Sequence, residues 1–104
     1  MILLEAMQEL KQNLPQSIIT AQNFLDTLDL ETQQQLIAAI YLGREHIHVS
    51  TLRNDVMPMN RDYVEHIHND EYANIIYEKG LNIITYLNKL EECAKNSNFD
   101  LNKI

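Results

Sequence analysis

Between Asp29 and Tyr41 the chain commits itself to a helix, and the remaining segments have to supply the surface that this helix packs against. Asp29 stands just ahead of a run of good helix formers, where a short acidic side chain accepts hydrogen bonds from the otherwise orphaned amides of a first turn. Glu31 adds negative charge at the end of the helix dipole that favours it. Leu36, Ile37, Ile40 and Tyr41 then recur at the three-to-four spacing of one helical face, with Gln33, Gln34 and Gln35 polar beside them. The end of the segment is open to two readings. Gly43 either stops the helix as a left-handed C-terminal residue or lies within a helix that runs on to His48.

The flanking segments read as further helices. Leu3, Met7, Leu10 and Leu14 repeat at spacings that predict a first helix over residues 2–13. Asn13 followed by Gln16, with Pro15 between them, resembles a capping box that opens a second helix, whose stripe is Ile18, Ala21, Leu25 and Leu28. Ser50 is expected to cap a short helix over 51–57 that Pro58 ends, and Asn60 to cap another through Tyr63, Val64 and Ile67. A last and longest helix over 71–94 carries Tyr72, Ile76, Ile83, Leu87 and Leu90. Gly80 interrupts that stripe. A close helix approach with Gly43 as counterpart would explain it, and the plainer alternative is that Gly80 ends one helix and Asn82 starts another.

With only two glycines and two prolines, and few runs of Val, Ile and Thr, the turn chemistry of a β fold is missing. The expected fold is therefore all-α: a compact bundle of five to six helices with the long C-terminal helix packed on the central one. Residues 1–95 are expected to form a single helical domain, which is what a chain of this length can close, and 96–104 a flexible C-terminal tail.

The formal charge of −7 and the scattering of eight Lys and Arg residues argue against nucleic acid as a partner. Cys93 is alone, so no internal disulfide is required. The first ten residues lack a basic leader and contain Glu5 and Glu9, so neither a signal peptide nor a membrane association is expected, and a cytoplasmic location is.

The one internal repetition is Glu45–His46–Ile47–His48 against Glu65–His66–Ile67–His68, twenty residues on. Imidazole and carboxylate together form a plausible donor set for a divalent metal. Two histidines two apart point about 200° apart on a helix, so a helical His-x-His cannot chelate through both rings. A metal site would use His48 with Glu45 and His68 with Glu65, one pair from each repeat or from two chains. Nothing else suggests a cofactor. Ser17, Ser50 and Ser97 lie outside any nucleophile elbow, Cys93 has no neighbouring histidine, and two glycines leave no phosphate loop. The chain is not expected to be an enzyme.

Five tyrosines are the most partner-like feature, since a phenol has an apolar body and a polar tip. Tyr41, Tyr77, Met57 and Met59, with Arg44 as a charged contact, are the expected anchors of a helical face that binds a protein partner or a second copy, a homodimer included. The alternative is a metal-binding protein built on the two repeats.

FLDTLDLETQQQLIAAIYLGRE, followed later by YANIIYEKGLNIITYL, resembles an uncharacterised family of small bacterial proteins known as domain of unknown function 3775. The positions that carry the resemblance are Phe24, Leu28, Tyr41, Gly43, Arg44, Glu78, Gly80 and Leu81, within residues 24–90. The chain departs from that pattern after Arg44, where Glu45–His46 stands in place of Gly-Asp. The resemblance implies an all-α fold and carries no activity with it.

Overall fold

The computed structural model describes residues 2–104 as five α-helices joined by turns: α1 Leu3–Gln12, α2 Ile18–Leu25, α3 Leu30–Glu45, α4 Tyr72–Lys79 and α5 Asn82–Asn96. Three short 3-10 turns, Arg61–Val64, Asn69–Glu71 and Leu101–Lys103, complete the secondary structure, and no strand occurs among the described residues. The all-α bundle is thus as the sequence predicts.

Helix α3 is the axis of the domain. Its N-terminus forms as expected, the Asp29 carboxylate accepting the Thr32 backbone N–H at 2.8 Å. Nine of its residues are buried, including Thr32, Gln35, Ala38 and Leu42 as well as Leu36, Ile37 and Ile40 of the predicted stripe, whose fourth member, Tyr41, is half-buried. A helix covered on nearly every side must have neighbours on nearly every side: α5 packs along it, with α1 and the Arg61–Val64 turn on other flanks, while α2 packs on α4. Two of the three glutamines read as a polar face, Gln33 and Gln35, are tethers. Gln33 donates to the carbonyls of Leu25 and Leu28, closing the open end of α2. Gln35 donates to the carbonyls of Asn102 and Ile104, both at 3.0 Å.

That second tether overturns the expectation of a loose tail. Leu101 and Ile104 are 4% and 3% exposed and join the core, so residues 101–104 close back onto the bundle. Aperiodic letters concealed a segment whose order comes from α1 and α3.

Three further boundaries differ from the sequence reading. Helix α2 starts at Ser17, whose hydroxyl accepts the Thr20 N–H, while the Asn13 amide donates to Glu9 O and terminates α1. No helix forms over 51–57, because the backbone around it is already bonded elsewhere: Leu52 N–H to Ser97 Oγ, Arg53 N–H to His46 Nε2 and Ser50 O to Asn96 Nδ2. Asn60 does cap its segment by accepting from Asp62 N–H, but the segment it opens is a 3-10 turn of four residues and not an α-helix.

The long last helix is two. Gly80 sits at φ +53°, a conformation L side chains rarely adopt, and separates α4 from α5. Gly43 serves the close approach on its own. A Cβ there would overlap the Tyr86 carbonyl oxygen of α5 and lie 2.6 Å from its carbonyl carbon, so the partner of Gly43 is the α5 backbone and not Gly80. Gly43 does not end α3, which runs two residues further to Glu45.

The Asp29 cap carries a prediction. Hydrogen bonds from the Thr32 side chain and backbone hold the carboxyl below its ordinary value of 3.8. A depressed folded-state value contributes stability that is present above the unfolded value and lost as pH falls through the folded one. Asp29→Asn keeps an acceptor oxygen without the charge. The gap in unfolding free energy between the wild type and this variant is expected to narrow between about pH 5 and about pH 2 in urea titrations, the wild type losing more.

Candidate functional site

The last turns of α3 form the wall between two open grooves, each of about 350 Å³. Tyr41 and Arg44 line both. On one side they face Ile75, Glu78 and Lys79 of α4 and Asn82 and Tyr86 of α5. On the other they face Tyr63, Val64, His66 and Ile67. The packing of Gly43 against the Tyr86 backbone brings these elements together, since it seats α5 directly on this part of α3.

Charge and aromatic rings are interleaved here. Lys79 Nζ lies 4.7 Å from the centroid of the Tyr41 ring, within cation–π range, and the Tyr63 ring stands 6.5 Å from Tyr41 on the other side. Tyr63 donates its hydroxyl proton to Glu45 Oε1 at 3.2 Å. Burial raises the Tyr63 phenol above its ordinary pKa, and the Glu45 charge adds to the rise. Burial lowers Lys79, and repulsion from Arg44 lowers it further, with Glu78 opposing. The Arg44 side chain is exposed and, among the described residues, makes no ion pair or hydrogen bond. The exposed carboxylate of Glu78 is likewise without a partner at ion-pair distance among the described residues. The fold thus holds opposite charges on the two walls of one groove, neither closed by a contact within the chain.

Of the anchors read from the sequence, Tyr41 and Arg44 are brought together here. Tyr77 is exposed on α4 but lines neither groove. Met59 is a correction: it is 7% exposed and belongs to the core, and Met57 packs half-buried against that core, so neither forms a projecting anchor. Flexible thioethers fill the irregular space under the 46–60 connection. Lys79, Tyr63 and Tyr86 were not among the predicted anchors. Their meeting depends on the α3–α5 and α3–turn packing, which leaves no local pattern in the letters.

The histidine repeats do not converge. Among the described residues, no three His, Cys, Asp or Glu side chains are grouped to hold a metal ion. Glu45 is engaged by Tyr63, and His68 lies 3.8 Å from Asp70 at the start of the Asn69–Glu71 turn, so Glu45, His48, Glu65 and His68 are not assembled within one chain. The identical letters also play different parts. His46 is fully buried, whereas His48, His66 and His68 are exposed. Its Nε2 accepts the Arg53 N–H at 3.0 Å, so the proton sits on Nδ1, which donates to the Leu42 carbonyl at 2.7 Å. His46 therefore spans the end of α3 and the following connection as a structural strut. Cys93 holds the same connection from below through a contact to the Val49 carbonyl, and burial raises its thiol pKa, which disfavours the nucleophilic thiolate.

No helix among the described residues is long and apolar enough to cross a membrane. Comparison of the chain with protein-family models, with curated proteins and with solved structures finds no match.

Proposed function

We propose that the protein is a non-enzymatic interaction module that binds a protein surface through the face centred on Tyr41 and Arg44. The observation that carries this reading is the state of Arg44. It stands exposed in the last turn of a helix with nine buried residues, it lines both grooves together with tyrosines, and no carboxylate among the described residues closes on it although the chain has fifteen. Tyr and Arg are the residues most enriched at the energetic centres of protein interfaces, because each supplies a large contact area together with directional polar groups. The grooves flanking them are open, suited to side chains of a partner and unlike the enclosed pockets in which small substrates react.

The test is a photo-crosslinking amino acid placed at Tyr63 or Tyr86, with Gln12 and Thr20 on a separate groove as controls. Capture of a discrete protein, a second copy included, from the first pair of positions and not from the second is the expected result. Equal capture from both faces, or from neither, would refute the reading.

A further inference from the structure

The electrostatics of the groove point to a particular occupant: we infer that a second copy of this chain docks there about a two-fold axis, with Arg44 of each copy meeting Glu78 of the other. This rests on the interaction reading above and gives it a partner.

The first argument is the distribution of charge. Arg44 and Lys79 on this face are matched in number by Glu45 and Glu78, so the four cancel and the net −7 of the chain lies wholly on the rest of the molecule. Outside this patch each copy carries the whole net charge of −7, so contact through the rest of the surface works against a net repulsion. Across this patch that repulsion is absent. Interfaces are arranged so that like charges avoid one another and opposite charges meet, and this sets orientation as much as affinity.

The second argument is symmetry. A two-fold interface is made of one patch applied to itself, so a residue that contacts a second residue across the axis is contacted by that second residue in return. Such a patch has to carry both members of each pair. Arg44 on α3 and Glu78 on α4 stand on opposite walls of one groove, each exposed and each without an ion-pair partner among the described residues. Rotation by half a turn places the cation of one copy opposite the anion of the other, twice. The patch therefore carries both members of a reciprocal pair, as a two-fold contact requires. Tyr41 and Tyr86, half-buried in the lining of the same groove, supply apolar area to surround the pairs.

The experiment is sedimentation or light scattering of the wild type, Arg44→Glu, Glu78→Arg and the double variant Arg44→Glu with Glu78→Arg. Both side chains are exposed, so the fold is expected to persist in each variant, Arg44→Glu being slightly less stable because it puts an anion at the C-terminal end of α3, and circular dichroism and melting temperature report any loss of fold separately. The wild type is expected to dimerise, and each single reversal, felt at both ends of the axis, to weaken the dimer by about tenfold or more. The double variant restores both pairs with their signs exchanged and is expected to return to within about threefold of the wild type. A wild type that stays monomeric up to about millimolar concentration overturns the inference. So does a dimer that the single reversals leave intact, or one that the double variant fails to restore. If crosslinking at Tyr63 or Tyr86 still captures a different protein while the wild type is monomeric, the interaction reading stands and only the second copy is refuted.

Discussion

Gly43→Ala is expected to destabilise the protein by about 3 kcal/mol or more, the upper range for forcing volume into a packed interior. The added methyl would meet the carbonyl oxygen and carbon of Tyr86, which are backbone atoms of α5. A flexible side chain could swing aside, but a helix backbone can move only by shifting the whole element, and α5 forms the broadest contact of α3. Gly80→Ala provides the comparison. There a methyl would meet only Tyr77 O at an ordinary contact distance of 3.9 Å, and the penalty is the strained backbone alone, about 1–3 kcal/mol. Urea denaturation of the two variants should rank them in that order, and a Gly43→Ala protein as stable as the wild type would show that α3 and α5 do not lie this close. Because Tyr86 forms one wall of the groove, the same substitution should also disturb the Tyr41–Arg44 face.

Truncation of His46 is the second large effect, expected at about 3 kcal/mol for His46→Ala. The ring is fully buried and both nitrogens are bonded, to Leu42 O and to Arg53 N–H. Alanine leaves a void and removes the acceptor of the Arg53 amide, so the transfer loss and the unsatisfied donor add. His48→Ala, His66→Ala and His68→Ala remove exposed rings and should each stay within about 0.5 kcal/mol of the wild type. Chemical denaturation of the four variants distinguishes a strut from three surface residues. Four similar values would contradict the burial of His46.

This contrast marks where letters stop predicting structure. Asp29 was legible because a cap is a local device: the acceptor and the amide it satisfies lie within one turn. The buried stripes of α1 and α3 were legible for the same reason, since periodicity is local. The role of Gln35 was not, because its acceptors lie 67 and 69 residues further along. The two Glu-His-Ile-His segments are identical letter for letter, yet only the first follows a long helix that carries its histidine into the interior. Gly80 shows a different obstacle. Within an apolar stripe, a glycine that lets helices touch and a glycine that turns the chain are the same letter, and only the backbone angle separates them. Of the face around Tyr41, the two residues on α3 were readable, while Lys79, Tyr63 and Tyr86 were supplied by packing.

The connection from residue 46 to residue 60 has one more implication. Its first half is held by His46, Cys93, Asn96 and Ser97, so its carbonyls and amides belong to the same network as the last turn of α5. Opening that stretch means fraying the helix end with it, and the two form a single subglobal unit whose amides should exchange together. The crest at Asn54, Asp55 and Val56 is exposed and tied back only by the Val56 N–H to Arg53 O, which makes it the natural place to lengthen the chain or insert a probe without loosening the fold.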